Sequence, residues 1–160
     1  RPFRVVTHDV EVKVLGTVFD LSAYSDEKNT STILESGSVE MANHSGSVFS
    51  SSRVTMVPGT MAVYNPDEKE IKQSKVNVKL YTSWKDGYIA CEKQSLGDIL
   101  KKISRYYNVS IQLNDQSLAN ETFTGNLDLR KSASQVLAII AEFINIKIDE
   151  TDKQLFITRI

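Results

Sequence analysis

The sequence predicts an all-β N-terminal domain, built as a sandwich or a β-roll, followed by a small α+β domain with two βαβ units. Short stretches that alternate apolar and polar residues fill the chain up to about residue 76, whereas helical periodicity begins only after residue 95. The pattern changes within the segment LYTSWKDGYI, which lies between these two parts. We therefore predict a domain over residues 1–80, a linker over 81–86 and a second domain over 87–160.

Length and composition fit one ordinary globular domain or two small ones. The chain has 160 residues, of which 41% are hydrophobic and 24% are charged, and its formal net charge is -1. This charge balance provides no general attraction to nucleic acids or to anionic membranes. No apolar run approaches the roughly 20 residues that a membrane-spanning helix requires. Because the chain opens with Arg1 rather than Met, we expect it to be part of a longer protein.

The first domain is rich in strand-forming patterns. The stretches RVVTHDVEVKV and GTVFDLSAY alternate apolar with polar residues and contain many Val, Phe and Tyr, which suits a sheet with one buried face. Gly37 lies between two apolar stretches and Pro58-Gly59 between two more, so we predict a turn at each, the second as a hairpin. A further turn is predicted at Asn65-Pro66. The spacing of these signals predicts seven or eight strands.

Two amphipathic helices are predicted in the second domain. Ser95 and Asp98 are placed as a capping box for the first helix, and Asn108 is placed to end it in a left-handed conformation. Ser132 and Gln135 repeat the box in the second helix. The apolar stripes comprise Leu96, Ile99, Leu100, Ile103 and Tyr107 in the first helix and Ala133, Val136, Leu137, Ile140, Ala141 and Ile144 in the second. Stripes of this kind need a sheet to cover.

Strand-like segments flank both helices. Residues 87–91 and 109–113 surround the first helix, and residues 121–129 and 145–149 surround the second. Residues 153–160 are predicted as a last strand. The order is therefore β-α-β followed by β-α-β-β, and we expect the helices to cover one side of a small sheet.

The joint order of these motifs resembles the periplasmic region of FecR-type anti-sigma factors of the Bacteroidetes. The resemblance rests on VKVLGTVFDLSAY, the turn at residues 35–39, the Pro-Gly hairpin and YTSWKDGYIACEKQSLGDILKKISRYYNVSI, and it extends over essentially the whole chain. The second half is similar to the short N-terminal signalling domain of secretins and TonB-dependent transducers.

This resemblance implies a function in signal relay. A full-length member of the family holds a sigma factor with a cytoplasmic N-terminal segment, crosses the inner membrane once and presents this region to the periplasm. There it meets the signalling domain of a TonB-dependent outer-membrane receptor, and the contact controls the sigma factor. The chain is thus expected to be the periplasmic sensor part of a membrane-anchored protein and to act through protein–protein contact.

Gly16-Thr17 is a candidate self-processing bond, because some relatives of the family cleave themselves at a Gly-Thr bond. The threonine hydroxyl would attack the preceding carbonyl, which requires a strained peptide and a hydroxyl held in line. The alternative is a glycine bulge in a strand, followed by a threonine that favours β-structure. We expect the bulge and no enzyme activity.

Trp84 and Gly87 are assigned to the joint between the two domains. A tryptophan just before a domain can pack its ring there while its N–H binds a partner, although a ligand-stacking role for Trp84 is an alternative. Alternation in the following strand places either Ile89 and Cys91 or Tyr88 and Ala90 inward, and we favour a buried, inert Cys91. His8 and His44 have no cysteine or paired carboxylates at ligand spacing, so we expect no metal and no cofactor.

Two other functions compete with signal relay. A carbohydrate-binding β-sandwich would stack exposed aromatic side chains on sugar rings, but the sequence has one Trp and no obvious aromatic pair in its first half. An enzyme acting on cell wall or glycan is not supported by any Ser-His-Asp order, glutamate pair or metal spacing. Relay by contact fits a small α+β domain, because the unpaired backbone groups of an edge strand accept a partner strand.

Overall fold

The chain divides into two compact units, Arg1–Tyr81 and Thr82–Ile160. The computed structural model describes residues 3–44, 52–152 and 154–160. The architecture is mostly β, with several antiparallel pairings and few helices. None of the helices in the described ranges is long and apolar enough to cross a membrane.

The first unit contains one antiparallel sheet, which has six strands in the described residues. The strands are β1 (Phe3–Val6), β2 (Val10–Ser22), β3 (Thr30–Asn43), β4 (Arg53–Met56), β5 (Thr60–Asn65) and β6 (Glu70–Lys75). Their order is β1-β2-β3-β5-β6, and β4 pairs with β3 next to β5. A sandwich needs two packed sheets, so this unit fits the β-roll alternative instead. Six strands replace the seven or eight predicted, because β2 and β3 are long and continuous.

A paired bulge bends β2 and β3 near their middles. Gly16 has φ 57° and Gly37 has φ 88°, and glycine adopts such left-handed conformations without steric cost. The pairing register shifts between Leu15 and Val18, where Gly16 and Thr17 of β2 oppose Gly37 of β3. A second shift lies between Val18 and Phe19, where Glu35 of β3 is the extra residue. Each strand therefore carries one extra residue, and the original register is restored beyond the bulge.

The bulge exchanges the buried and exposed faces of the strands. Ahead of it, Val12 and Val14 of β2 point into the core, whereas beyond it Phe19 and Leu21 pack against the same core. The residues of β2 that face the core are even-numbered before the bulge and odd-numbered after it. A regular strand cannot make this change without an extra residue. The turn predicted at residues 35–39 is therefore wrong, because β3 passes through it as a bulged strand.

The Pro58-Gly59 segment turns without reversing the chain. Gly59 has the positive φ that the predicted turn requires, at 84°. However, β4 and β5 on either side of it both run antiparallel to β3 and pair with successive parts of that strand. The hairpin predicted here is therefore wrong. The chain does reverse at the turn predicted at Asn65-Pro66, where β5 pairs with β6 and the Asn65 side chain accepts from the Asp67 N–H at 3.0 Å.

The second unit alternates strands and helices. Helix α1 (Lys79–Thr82) spans the boundary between the units, and α2 (Leu96–Tyr107) and α3 (Ala133–Ala141) lie within the second. The strands are β7 (Tyr88–Ser95), β8 (Ser110–Leu113), β9 (Thr122–Asp128), β10 (Ile146–Thr151) and β11 (Gln154–Arg159). Two 3₁₀ turns, Ser83–Asp86 and Gln116–Asn120, complete the unit. Residues 81–86, which were predicted as a linker, thus lie in helical turns.

Helices α2 and α3 each connect two different sheets. β7 pairs with β9 in a two-stranded antiparallel sheet, and β10, β11 and β8 form a three-stranded sheet in that order. The chain passes from the first sheet through a helix to the second sheet, and it does so twice. The order of elements matches the prediction, but the strands of each predicted βαβ unit do not share one sheet. Both sheets and both helices enclose a single core that includes Ile89, Ile103, Leu137 and Ile157.

The helix ends follow the predicted capping residues. The Ser95 hydroxyl accepts from the Asp98 N–H at 3.2 Å and donates to the Asp98 carboxylate at 2.7 Å. Asn108 ends α2 with φ 51°. At the start of α3, Ser132 and Gln135 form the complete box, in which each side chain accepts from the backbone N–H of the other residue.

Tyr107 ties α2 to the segment between β9 and α3. Its hydroxyl, which has one proton to donate, lies within donating distance of the carbonyl oxygens of Leu129, at 2.9 Å, and Lys131, at 2.7 Å. Burial raises the pKa of Tyr107, and Tyr106 and Asp128 add smaller contributions in the same direction. The folded unit therefore favours the neutral hydroxyl.

Replacement of Gly37 should destabilise the first unit through its bulge. In Gly37→Ala the new Cβ would lie 2.5 Å from the Gly16 carbonyl oxygen, and the residue would keep a left-handed backbone. We expect a loss of roughly 3 kcal/mol in the free energy of unfolding, of which the backbone conformation accounts for about 1–2 kcal/mol. Gly59→Ala is the control, because Gly59 has a similar φ but open space at the Cβ position. Urea denaturation measures both variants, and equal losses would contradict the proposed crowding.

Removal of the Tyr107 hydroxyl should weaken the second unit and change its pH dependence. Tyr107→Phe loses a hydrogen bond worth about 1 kcal/mol at neutral pH. Because folding raises the pKa of Tyr107 above its unfolded value of 10.0, the wild-type stability is fully present below that pH. It then declines as the pH rises through the folded-state pKa. Guanidinium denaturation from about pH 7 to about pH 11 should show a smaller decline of the unfolding free energy in the variant than in the wild type. An equal decline in both would mean that another group causes it.

Candidate functional site

The Gly16-Thr17 bond lies in the bulge of the first unit, where the threonine hydroxyl binds backbone groups. The Thr17 hydroxyl accepts from the Leu15 N–H at 3.1 Å, and it lies within donating distance of the carbonyl oxygens of Leu15, at 2.9 Å, and Ser38, at 3.0 Å. These contacts link the bulged part of β2 to β3. Gly37 lies directly against the bond, since a Cβ at that position would approach the Thr17 Cα to 2.8 Å.

This arrangement bears on the chemistry of self-processing. Attack on the Gly16 carbonyl would require the Thr17 hydroxyl to lose its proton to a base, because an unactivated threonine is a poor nucleophile. The hydrogen-bond partners of that hydroxyl in the described part of the chain are backbone groups, with no histidine or carboxylate among them. A positive φ stores little strain at a glycine. The geometry therefore favours a structural role for this bond.

Gly37 is the residue of this site that the sequence did not indicate. It was predicted as a turn residue, whereas in the structure its missing Cβ makes room for the Gly16-Thr17 peptide. The run Ser36-Gly37-Ser38 is the signal that could have found it, because three small residues in a strand permit close approach of another backbone.

Trp84 and Gly87 lie at the start of the second unit. Trp84 belongs to the 3₁₀ turn Ser83–Asp86, and 49% of its surface is exposed. Gly87 ends this turn with φ 85°, and its N–H donates to the Trp84 carbonyl at 3.1 Å. The Gly87 carbonyl accepts from the Leu129 N–H at 2.9 Å, so Gly87 already begins the pairing of β7 with β9. The role of the two residues as a joint stays a prediction.

Cys91 faces the core of the second unit, which is the favoured one of the two orientations that alternation allowed. Only 5% of its surface is exposed, and Ile89 points the same way. Burial raises the pKa of the Cys91 thiol to about 11, although the positive charge of Lys102 acts in the opposite direction. The thiol is therefore protonated at neutral pH and is a poor nucleophile and a poor metal ligand.

Two carboxylates have lowered pKa values, and local hydrogen bonds explain both. Arg130 donates to the two carboxylate oxygens of Asp128 at 2.8 and 2.9 Å, and this pairing lowers the pKa of Asp128 to about 2. The pKa of Asp115 is lowered first by the Ser117 hydroxyl and N–H and then by Arg159. Carboxylates this stable in the ionised form are weak general bases at neutral pH. Within the described ranges, no group of three or more His, Cys, Asp or Glu side chains could hold a metal ion.

The second unit also matches a known protein family. Residues 88–157 match the family described as FecR, C-terminal, from the first residue of β7 to within two residues of the end of β11. This part of the chain is therefore similar to FecR C-terminal domains. The resemblance to the FecR family that the sequence suggested is thereby confirmed. Trp84 and Gly87 both precede the matched residues of the FecR C-terminal domain.

The fold of the whole chain is similar to that of solved structures. Two crystal structures of a candidate anti-sigma factor from Parabacteroides distasonis ATCC 8503 match it with TM-scores of 0.77. The structure at 1.65 Å resolution is 23% identical in sequence, and the match covers 99% of this chain and 72% of that chain. The structure at 2.50 Å resolution is 22% identical, with 100% of this chain and 72% of that chain covered. No curated protein matches the chain. At these identities the likeness establishes the shared fold.

We expect the Gly16-Thr17 bond to remain intact. The freshly purified chain should give one intact mass of 17.9 kDa, without a fragment that ends at Gly16. Thr17→Ala should also stay intact but lose about 1 kcal/mol of stability, because the hydroxyl contacts to Leu15 and Ser38 disappear. Thr17→Ser keeps the hydroxyl and should recover most of that loss. A wild-type fragment starting at Thr17 that is absent from Thr17→Ala would instead establish self-processing.

Proposed function

We propose that this chain is the periplasmic sensor part of a transmembrane anti-sigma factor. It relays a signal from a TonB-dependent outer-membrane transducer to an extracytoplasmic-function sigma factor. The observation that carries this proposal is the similarity of residues 88–157 to FecR C-terminal domains. The fold similarity to a candidate anti-sigma factor over the whole chain supports the same conclusion.

Relay by contact, rather than by catalysis, is supported by the state of the ionisable groups. The one thiol, Cys91, is buried and protonated at neutral pH, and Asp128 is held ionised by Arg130. The Thr17 hydroxyl is bonded to backbone groups in the bulge. Each of these groups is thus engaged in holding the fold, which leaves the surface of the two units as the working part of the protein.

The partners follow from this proposal. The signalling domain of the transducer binds the periplasmic region, and the sigma factor binds a cytoplasmic segment of the parent protein. The parent protein is anchored in the inner membrane. Neither a cofactor nor a nucleic acid takes part, which agrees with a formal net charge of -1 that offers no general attraction to a polyanion.

Binding of the transducer's signalling domain tests the proposal directly. We expect the whole 160-residue chain to bind, in calorimetry, the signalling domain of a TonB-dependent transducer encoded next to its gene. Signalling domains of transducers encoded elsewhere in the same genome serve as the specificity control. Binding to none of the signalling domains, together with clear binding of an oligosaccharide, would favour the carbohydrate-binding alternative.

A further inference from the structure

Three of the four edge strands in the described part of the second unit are protected against pairing with another chain. β10 carries Lys147, Asp149 and Glu150, and charged side chains on an edge resist a partner strand. β8 is only four residues long, so it offers few backbone groups. In β7 the N–H of Ala90 donates to the Ser83 hydroxyl at 2.9 Å, and a bulge interrupts the strand further along.

The fourth edge strand, β9, is open. Its hydrogen bonds to β7 alternate along the strand, in register with the bond from the Leu129 N–H to the Gly87 carbonyl. By this alternation the backbone groups of Thr124 and Asn126 point away from β7, and among the described strands β9 pairs with β7 alone. Residues 122–127 carry no charge. The outer edge of β9 therefore presents a neutral row of unpaired donors and acceptors.

An exposed aromatic side chain flanks this open edge. Phe143 lies just after α3, and 73% of its surface is exposed. Its ring meets the ring of Phe123 edge-on, with the two centroids 5.7 Å apart. Phe123 belongs to β9 and points into the core, with 5% of its surface exposed. A strand added to β9 would place a side chain beside Phe123 on the same face, where it would cover Phe143.

A polar depression lies at the other end of β9. It has a volume of about 340 Å³ and is lined by Asp86, Gly87, Tyr88, Asn126, Asp128 and Arg130. Arg130 neutralises Asp128 through their two hydrogen bonds. Asp86 then leaves the depression with a net negative charge, which suits a basic side chain.

We infer that the outer edge of β9, together with Phe143, binds an extended segment of the transducer's signalling domain as an added strand. This inference rests on the proposed function, and it names the surface and the chemistry of the partner segment. Apart from one basic residue, the segment is uncharged, since an unpaired charge buried at the new edge would be costly. It carries one apolar residue that packs on Phe143 and one Lys or Arg that enters the depression.

The geometry of β9 also sets the spacing of those two residues. Phe123 and Asn126 are three positions apart, so their side chains lie on opposite faces of the sheet. An added strand therefore needs its apolar and its basic residue three positions apart, each facing the matching side.

A second copy of this chain fits the edge less well than a different protein does. Strand β9, Thr122–Asp128, contains no Lys or Arg, so β9 of another copy could not supply the basic residue that the depression suits. A paired edge of seven residues would also bury much less surface than the roughly 1,200–2,000 Å² of a stable interface. The complementary segment must come from a partner that adds contacts of its own.

Substitutions at the edge test this surface in the whole chain, with calorimetry against the signalling domain. Phe143→Ala should weaken binding roughly tenfold, because it removes the exposed anchor. Asn126→Pro removes an outward N–H and should weaken binding about fivefold to tenfold. Ile160→Ala is the matched control, since Ile160 is also apolar and is 84% exposed. When the signalling domain binds, hydrogen exchange should slow at the amides of Thr124 and Asn126. This protection would not appear if β9 and Phe143 only stabilised the fold.

The outcomes separate this inference from the proposed function. The signalling domain could bind with unchanged affinity for Phe143→Ala and Asn126→Pro and with unchanged hydrogen exchange at Thr124 and Asn126. The assignment of the binding surface to β9 would then be wrong, while the relay function would stand. If no signalling domain binds, a synthetic octapeptide still tests the edge. Its sequence alternates valine and threonine, except that a lysine replaces the threonine three positions after one of the valines. NMR shifts at Asn126 and Phe143 on its addition would support the edge, whereas shifts only at β8 or β10, or none, would overturn it. Shifts that grow with protein concentration alone would identify a second copy as the occupant and overturn the assignment to the transducer.

Discussion

The close approach of Gly37 to the Gly16-Thr17 peptide is the constraint on which the first unit depends. Two long strands, β2 and β3, each serve two halves of one sheet, with β1 and β4 beside one half and β5 and β6 beside the other. Apolar residues can face one core along the whole length only because one extra residue in each strand exchanges its faces midway. Gly16 and Gly37 supply the left-handed backbone, only Gly37 has no space for a Cβ, and the Thr17 hydroxyl links the bulged part of β2 to β3.

The helices of the second unit were predictable, because their signals are local. Residues spaced three and four apart defined the buried stripes, and Ser95, Asn108 and Ser132 marked the ends at the correct positions. Alternation within one strand limited the inward orientation to two choices, and the favoured one, with Cys91 buried, is the one observed. In each case the information lies within a few residues of the feature, and the burial of one face confirms it.

The pairing of strands was not predictable to the same degree, because it depends on residues distant in the chain. A glycine with positive φ serves a turn and a bulge equally well, so Gly37 and Gly59 indicated a special backbone without indicating whether the chain reverses. Likewise, the order β-α-β does not say whether both strands enter one sheet. The open edge of β9 beside Phe143 emerges only when the sheets are assembled.

The burial of Cys91 determines when the chain is open to oxidation. A lone thiol in oxidising surroundings, such as the proposed periplasmic location, is exposed to mixed disulfides with other secreted proteins during its passage. Because its sulfur is enclosed by the core and burial raises the pKa of the Cys91 thiol to about 11, the folded chain offers oxidants very little thiolate to attack. The vulnerable interval is therefore confined to the moments before β7 closes against β9, and folding speed becomes the chain's protection against oxidative damage.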